Sequence, residues 1–162
     1  MTLEEIYYVG QTIAVVALFL SIIFVGYQIR HNTKAIKATS HHAVTDSFNQ
    51  ISSLLIGDPS LGRVWRLGLT GLKNLGEDER GSFGFMLLAY SRIFETLYYQ
   101  YKNGTMDRKL YDAEVKTLEW AVACPGFREW WADNPISLSR EYREFIDGLI
   151  AAATQTPPRP PE

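Results

Sequence analysis

An uninterrupted apolar run, Ile6 to Ile29, constrains this chain more than any other feature of its sequence. Its 24 residues include no Asp, Glu, Lys, Arg or His. A helix of about 20 apolar residues crosses the roughly 30 Å hydrocarbon core of a bilayer. Tyr7, Tyr8 and Tyr27 stand near the ends of the run, where interfacial aromatic residues belong. The run therefore predicts a transmembrane helix, the alternative being an unusually long buried helix of a soluble protein.

The charged residues on either side of this run predict its orientation. Glu4 and Glu5 precede it, whereas Arg30, Lys34 and Lys37 follow it. A cleaved signal peptide needs a basic region before the apolar run and a small-residue cleavage site after it, so we interpret this run as an uncleaved anchor. Because Lys and Arg beside a span are retained in the cytoplasm, we expect a single-pass protein. Its N-terminus would lie outside and its C-terminal domain in the cytoplasm.

Small residues share one face of the predicted span. Gly10, Ala14, Ala17 and Ser21 are spaced by four, three and four residues, and Gln28 continues the same face. A stripe of small side chains lets a second helix approach closely, and a polar residue hydrogen-bonds across such a contact. We interpret this small-residue stripe as a helix-packing face, although small residues are also common in spans for other reasons. The partner is either a second copy, giving a homo-oligomer, or another membrane protein.

The rest of the chain predicts helices and no strands. No stretch alternates apolar and polar residues between turn signals, as a strand would. No Pro or Gly interrupts residues 27–56, so the helix is expected to continue beyond the bilayer. The predicted fold is all-α, with an N-terminal transmembrane helix continuing into a small cytoplasmic helical bundle. We expect a transmembrane anchor over residues 1–30, a helical bundle domain over 31–152 and a disordered Pro-rich tail over 153–162.

Capping residues and apolar stripes predict the individual helices of the bundle. The boundary residues are Gly57 at the end of the first helix, Asp58 and Pro59 at the start of the second, Glu77 and Asn103–Gly104 at the ends of the third, Asp107 and Pro125 at the ends of the fourth, and Ser137 or Ser139 at the start of the last. The inward stripes are Ile29, Ile36, Val44, Phe48, Ile51 and Leu55 in the first helix; Phe83, Met86, Leu87, Tyr90, Ile93, Phe94, Leu97 and Tyr101 in the third; Tyr111, Val115, Leu118 and Val122 in the fourth; and Tyr142, Phe145, Ile146 and Leu149 in the last.

Charge is distributed unevenly along the chain. Residues 30–73 hold six basic and two acidic side chains, whereas residues 74–162 hold ten basic and fourteen acidic ones. The net charge of −2 argues against a nucleic-acid partner. The basic juxtamembrane part is attracted to anionic headgroups, so we expect the lipid bilayer as a partner. On one interpretation the short helix with Arg63, Trp65 and Arg66 lies on the bilayer surface. We prefer a bundle helix that buries its apolar side chains, Trp65 included.

One cluster on the third helix is a candidate ligand site. Arg92, Glu95 and Tyr99 are spaced so that they lie together beside the apolar stripe. A charged pair partly inside an aromatic cluster is suited to binding a small polar ligand. Bundle packing would bring His41 or His42 alongside these residues. The preferred alternative is a structural ion pair between Arg92 and Glu95 that fixes the packing of the helix.

The remaining sequence predicts no metal site and no cofactor. The three histidines form neither a His-x-x-x-His nor a Glu-x-x-His pair, although His42 stands one turn before Asp46. A phosphate-binding loop and a dinucleotide fingerprint are both missing. The single cysteine, Cys124, excludes an intramolecular disulfide and lies at a helix C-terminus, where a thiol is a poor nucleophile.

Four segments of the chain resemble a group of small bacterial membrane proteins with no assigned activity. They are IRHNTKAIKA, DPSLGRVWRLGL, RIFETLYYQY and GFREWWADN, and with the acidic start and the single span the resemblance covers most of the chain. It implies a bacterial inner-membrane location and transfers no catalytic residue. We therefore expect a non-enzymatic docking or self-assembly module at the cytoplasmic face of the inner membrane. The alternative is a small-ligand sensor or enzyme that uses the polar cluster in the bundle core.

Overall fold

The computed structural model describes residues 2–133 and 138–155, and these residues form helices without any strand. The all-α prediction is confirmed. The helices are α1 (Leu3–Gly57), α2 (Pro59–Thr70), α3 (Glu77–Lys102), α4 (Arg108–Ala123), α5 (Pro125–Asp133) and α6 (Arg140–Gln155), with a 3₁₀ turn at Leu72–Asn74. The chain divides into two compact units, one ending at Thr39 and the other beginning at Ser40, so α1 contributes to both.

The first unit is the N-terminal part of α1. Every described side chain from Tyr7 to Ile36 is exposed. Within the described residues, α1 is the helix whose length and composition suffice to cross a membrane, and none of its apolar window is buried inside the protein. A core helix of a soluble protein would bury that window. Glu4 is exposed, and nothing is described of the Glu5 side chain.

The capping predictions in the second unit are confirmed where the structure describes them. Oδ1 of Asp58 accepts a hydrogen bond from the N–H of Ser60 at 2.9 Å, and Oδ1 of Asp107 accepts from the N–H of Lys109 at 2.9 Å. Gly104, with a φ of 72°, follows α3 in the left-handed conformation that glycine adopts readily. Ser137 and the tail from residue 156 lie outside the described residues. The predicted tail begins at residue 153, whereas α6 runs to Gln155.

Helix α3 is the central element of the second unit. Its predicted stripe is confirmed, with five side chains buried and Met86, Ile93 and Tyr101 partly buried. Phe48 of α1 packs against Phe94, with ring centroids 5.1 Å apart. The continuous stripe predicted along α1 is wrong at its start. Ile29 and Ile36 are 61% and 51% exposed, because both precede Ser40 and lie in the unit where α1 is the sole element.

Two glycines allow α2 and α5 to pack backbone against backbone. A Cβ atom added to Gly126 would overlap the carbonyl group of Gly68, and one added to Gly68 would overlap the ring of Phe83. Both distances fall below 3.0 Å, which real Cβ atoms essentially never show. This Gly68–Gly126 contact sets how closely α5 approaches α2 and α3. No periodicity in the sequence predicts it.

The connection between α2 and α3 is held by charged side chains from other elements. Gly71 has a φ of 141°, and the next residue, Leu72, donates its N–H to Oε2 of Glu129 on α5 at 2.7 Å. Nε of Arg80 donates to the carbonyl oxygens of Leu72 and Leu75 at 3.0 and 3.2 Å. The turn is therefore fixed from both α5 and α3.

We predict that Gly126→Ala lowers the free energy of unfolding by about 2–3 kcal/mol or more, because a methyl group there must separate two backbones. Gly148→Ala on α6 is the matched control, since a Cβ atom there meets nothing within 4 Å. The control should stabilise the helix by about 0.5–1 kcal/mol. Denaturant unfolding of the full chain in detergent measures both. Equal midpoints for the two variants would contradict the packing described for Gly126.

Candidate functional site

Two of the three predicted cluster residues attach α6 to α3. Oε1 of Glu95 accepts a hydrogen bond from the N–H of Ser139 at 2.7 Å, and the hydroxyl of Tyr99 donates to Oγ of Ser139 at 2.8 Å. Ser139 directly precedes α6, and its Oγ accepts from the N–H of Tyr142 at 3.4 Å. The Glu95 carboxylate also faces the positive end of the α6 dipole. Glu95 and Tyr99 therefore cap the start of α6 through Ser139.

Arg92 takes no part in this capping arrangement. In the described part of the chain it forms no ion pair with Glu95 within 4.0 Å, so the preferred ion-pair interpretation is wrong. The Glu95 carboxylate is engaged with Ser139, whereas Arg92 is exposed and lines a groove of about 220 Å³ between α1 and α3. The other lining residues are Ala43, Val44, Ser47, Ile93, Thr96 and Gln100. The predicted cluster is therefore divided between two places.

The histidines lie on the part of α1 that belongs to the second unit. His41 is half-buried and His42 is exposed, with ring centroids 6.3 Å apart. Among the described residues, neither imidazole forms a hydrogen bond or ion pair with the α3 cluster, and His42 forms none with Asp46. In the described residues, the two histidines and the α3 cluster therefore do not form a single site.

A second polar group joins α3 and α6 one turn further along. Lys102 forms an ion pair with Glu141, and the hydroxyl of Tyr98 donates to the same carboxylate at 3.3 Å. The hydrogen bond from Lys102 holds the pKa of Glu141 below its ordinary value, and the same bond raises the pKa of Lys102. Both charged side chains are about half exposed, so this pair contributes little to stability. It orients the first turn of α6.

Tyr142 carries a fully buried hydroxyl group between these helices. Its side chain is 0% exposed, and the described residues offer its oxygen no hydrogen-bond partner. Burial raises its pKa far above the ordinary value of 10.0, and the negative charge of Glu95 adds to the effect. Burial likewise raises the pKa of Tyr111 to about 12. The interior of the bundle therefore favours protonated tyrosines.

The residues considered for the bilayer surface occupy different environments. Trp65 packs into the bundle, with its ring centroid 5.9 Å from that of Phe83 and 5.7 Å from that of Tyr90. Arg63 forms an ion pair with Glu79, whose pKa is lowered mainly by the N–H of Gly76 at 3.0 Å. Arg66 is exposed. The packing of Trp65 and the ion pair of Arg63 agree with the preferred interpretation, a helix of the bundle. Binding of this helix to the bilayer surface stays a prediction.

The small-residue stripe of the first unit is exposed along its length. Gly10, Ala14, Ala17 and Ser21 all face outward, and a Cβ atom on Gly10 would meet nothing within 4 Å. Oγ of Ser21 donates to the carbonyl oxygen of Ala17 at 2.8 Å. The Ser21 hydroxyl is therefore satisfied within α1. Gln28 is exposed too.

The structure gives no geometry for metal or thiol chemistry in its described residues. No group of three or more His, Cys, Asp or Glu side chains there is placed to hold a metal ion. Burial raises the pKa of the Cys124 thiol, and Sγ donates to the carbonyl oxygen of Trp120 at 3.5 Å. A protonated thiol in this position is a poor nucleophile.

Three polar residues have long-range hydrogen-bond partners that the sequence does not reveal. They are Ser139 as the acceptor for Tyr99, Glu129 as the acceptor for Leu72, and Asp147, whose Oδ1 accepts a hydrogen bond from Nε1 of Trp131 at 2.8 Å. Their partners lie 40, 57 and 16 residues away along the chain. No local pattern predicts contacts over such separations.

Comparisons of the chain with protein-family models, with curated proteins and with solved structures find no match. Function is therefore inferred from the geometry of the two units.

We predict that Glu95→Gln lowers the free energy of unfolding by about 1–2 kcal/mol, because the charge-assisted bond to Ser139 and the favourable dipole interaction are lost. Arg92→Gln, three residues away, should change it by less than about 0.5 kcal/mol. Equilibrium unfolding of the full chain measures both. A destabilisation by Arg92→Gln as large as that by Glu95→Gln would contradict the separation of the two residues.

Tyr142→Phe should leave stability at neutral pH unchanged or raise it by about 1 kcal/mol, because it removes a buried unsatisfied hydroxyl. Tyr99→Phe, which breaks the bond to Ser139, should lower stability by about 1 kcal/mol. Burial raises the folded-state pKa of Tyr142, so above about pH 10 the unfolded chain loses this phenolic proton before the folded chain does, and Tyr142 lowers the free energy of unfolding progressively as pH rises. Unfolding midpoints between pH 8 and 11 should fall less steeply for Tyr142→Phe than for wild type, and an identical fall would refute this assignment.

Proposed function

We propose that the chain is a membrane-anchored docking or self-assembly module, with α1 as a single-pass anchor and the second unit on the cytoplasmic side. The observation that carries this proposal is the exposed apolar surface of α1. Its 24-residue charge-free run has no protein element covering it in the described structure. Leaving that surface in water would be strongly unfavourable, whereas a bilayer accepts it at no such cost. We place the chain in a bacterial inner membrane on the resemblance described above.

The orientation is supported by charge. Arg30, Lys34 and Lys37 follow the apolar run, and Glu4 precedes it. Positive residues beside a span are retained on the cytoplasmic side. The same residues would hold the juxtamembrane segment near anionic lipid headgroups.

The docking role is supported by surfaces that the fold leaves uncovered. In the first unit the small-residue stripe offers a close-packing face for another helix. In the second unit the side chains of Phe85, Leu54 and Ile56 are 76%, 64% and 81% exposed. Phe85 also lines an open groove, and contiguous exposed apolar patches mark protein interaction sites.

The alternative, a small-ligand sensor or enzyme at the α3 cluster, has weaker support. Glu95 and Tyr99 are engaged with Ser139, and Arg92 faces a separate shallow groove. Loss of binding of a small polar ligand in Glu95→Gln, with unfolding unchanged, would favour this alternative.

The docking role predicts an assembly larger than a monomer when the full chain is purified in mild detergent and its intact mass is measured. We expect a homo-oligomer or a stoichiometric second membrane protein. Ala14→Ile with Ala17→Ile should weaken that assembly, because bulky side chains prevent close helix approach. Val15→Ile, on a different face of the helix, is the matched control. A lone monomer in wild type would contradict the proposal.

The orientation predicts that a reporter domain fused after residue 162 lies in the cytoplasm, where a fluorescent protein folds and a periplasmic phosphatase stays inactive. Replacing Arg30, Lys34 and Lys37 by Gln should increase the fraction of inverted molecules, because the retention signal is removed. Changing Lys73 to Gln should have no effect, since it lies far from the span. Phosphatase activity in the wild-type fusion would overturn the orientation.

A further inference from the structure

An uncovered depression in the second unit lies beside the exposed ring of Phe85. A groove of about 370 Å³ opens between the start of α3, the turn before it and α5. Its lining residues are Leu72, Arg80, Gly81, Gly84, Phe85, Leu88, Trp130 and Asp133. The side chain of Phe85 is 76% exposed and stands at the edge of this groove. A projecting ring and an open hollow therefore occur in one patch.

Glycines on α3 keep the groove open. Gly81 and Gly84 lie one turn apart on the helix, on the side that lines the groove. A Cβ atom on Gly84 would approach Nε1 of Trp130 at 3.3 Å, but one on Gly81 would meet nothing within 4 Å. Packing inside this chain therefore does not require glycine at position 81, although glycine destabilises a helix relative to alanine. A ring entering from outside would use the space that the missing side chains leave.

Opposite charges border the same groove. Arg80 and Asp133 are both exposed, and neither belongs to an ion pair within the ranges that the structure describes. Nε of Arg80 is held by two carbonyl oxygens of the preceding turn, which fix the side chain without neutralising it. One cation and one anion on a single patch satisfy the charge pattern of an interface that pairs with itself.

We propose that this patch is a two-fold interface between copies of this chain. Phe85 of each copy enters the groove of the other, and Arg80 of each copy faces Asp133 of the other. The hollow is large enough, since a cavity of about 150 Å³ accepts benzene. A patch that carries a projecting ring, a hollow, a cation and an anion can pair with itself about a two-fold axis, and for this reason we assign a second copy of the chain to it. The inference rests on the proposed self-assembly, and it identifies this patch as the surface through which the second units of two copies bind each other.

The test is a charge exchange measured on the full chain in lipid vesicles. Donor- and acceptor-labelled copies are mixed, and energy transfer is followed as lipid dilutes the protein. Arg80→Glu and Asp133→Arg should each weaken self-association by roughly tenfold, because each variant places like charges opposite one another. Mixing the two variants should restore energy transfer close to the wild-type level, since positions 80 and 133 of facing copies then carry opposite charges at both contacts.

Phe85→Ala provides an independent arm that leaves the charges in place. It should weaken association by roughly tenfold or more, as expected for a central aromatic residue of an interface. Leu110→Ala, which removes an exposed apolar side chain on α4, is the matched control and should leave association unchanged. Circular dichroism of each variant confirms that the helices form. Because Phe85 is exposed, its replacement keeps the test informative even if Arg80→Glu fails to fold.

The outcomes separate this inference from the proposed function. If wild type associates and all the groove variants associate equally well, the groove is not the interface, while self-assembly stands. If the mixed charge variants stay apart although Phe85→Ala weakens association, the two-fold geometry is overturned. If wild type is a monomer bound stoichiometrically to a different protein, the docking role stands and this inference fails. If wild type is a lone monomer, both fail.

Discussion

The uncompensated apolar surface of α1 is the constraint on which the rest of this structure depends. A helix satisfies its own backbone hydrogen bonds, so a charge-free helical run of this length is stable in lipid without any partner. The same run is unstable in water unless protein covers it, and no described element does so. The second unit, by contrast, has its own aromatic core around α3 and its own capped helices. The two units therefore differ in chemistry: the first exposes an apolar surface, and the second encloses an apolar core.

Within the second unit, close approach and capping fix the geometry of the exposed surfaces. The Gly68–Gly126 contact sets the distance between α2 and α5, and Glu129 fixes the turn before α3. Those contacts place Trp130 and Asp133 opposite the glycines of α3. Glu95 and Tyr99 play the equivalent part at the other end of α3, where they position α6. Two of the residues whose spacing suggests a ligand site, Glu95 and Tyr99, thus have a packing role.

Local chemistry makes much of this fold predictable. Asp58, Asp107 and Asn103–Gly104 are recognisable as helix ends, because a helix cap depends on hydrogen bonds between residues that are close in the sequence. The buried stripe of α3 is recognisable because its apolar residues recur at the helical period along the whole helix. Ile29 and Ile36 continue the same period in the sequence but lie where α1 has no protein neighbour in its unit. The partners of Glu95 and Glu129, and the glycine contact, depend on tertiary packing over long separations, which no window of sequence contains.

Alkaline-carbonate extraction of membranes tests most directly whether the exposed apolar run of α1 lies inside a bilayer. High pH removes peripheral proteins, whereas a spanning helix leaves the membrane only when detergent dissolves the lipid. We predict that the full chain stays in the membrane pellet after carbonate and enters solution only with detergent. Recovery of the chain in the carbonate supernatant would contradict this claim, because a helix that is released intact cannot be a spanning anchor.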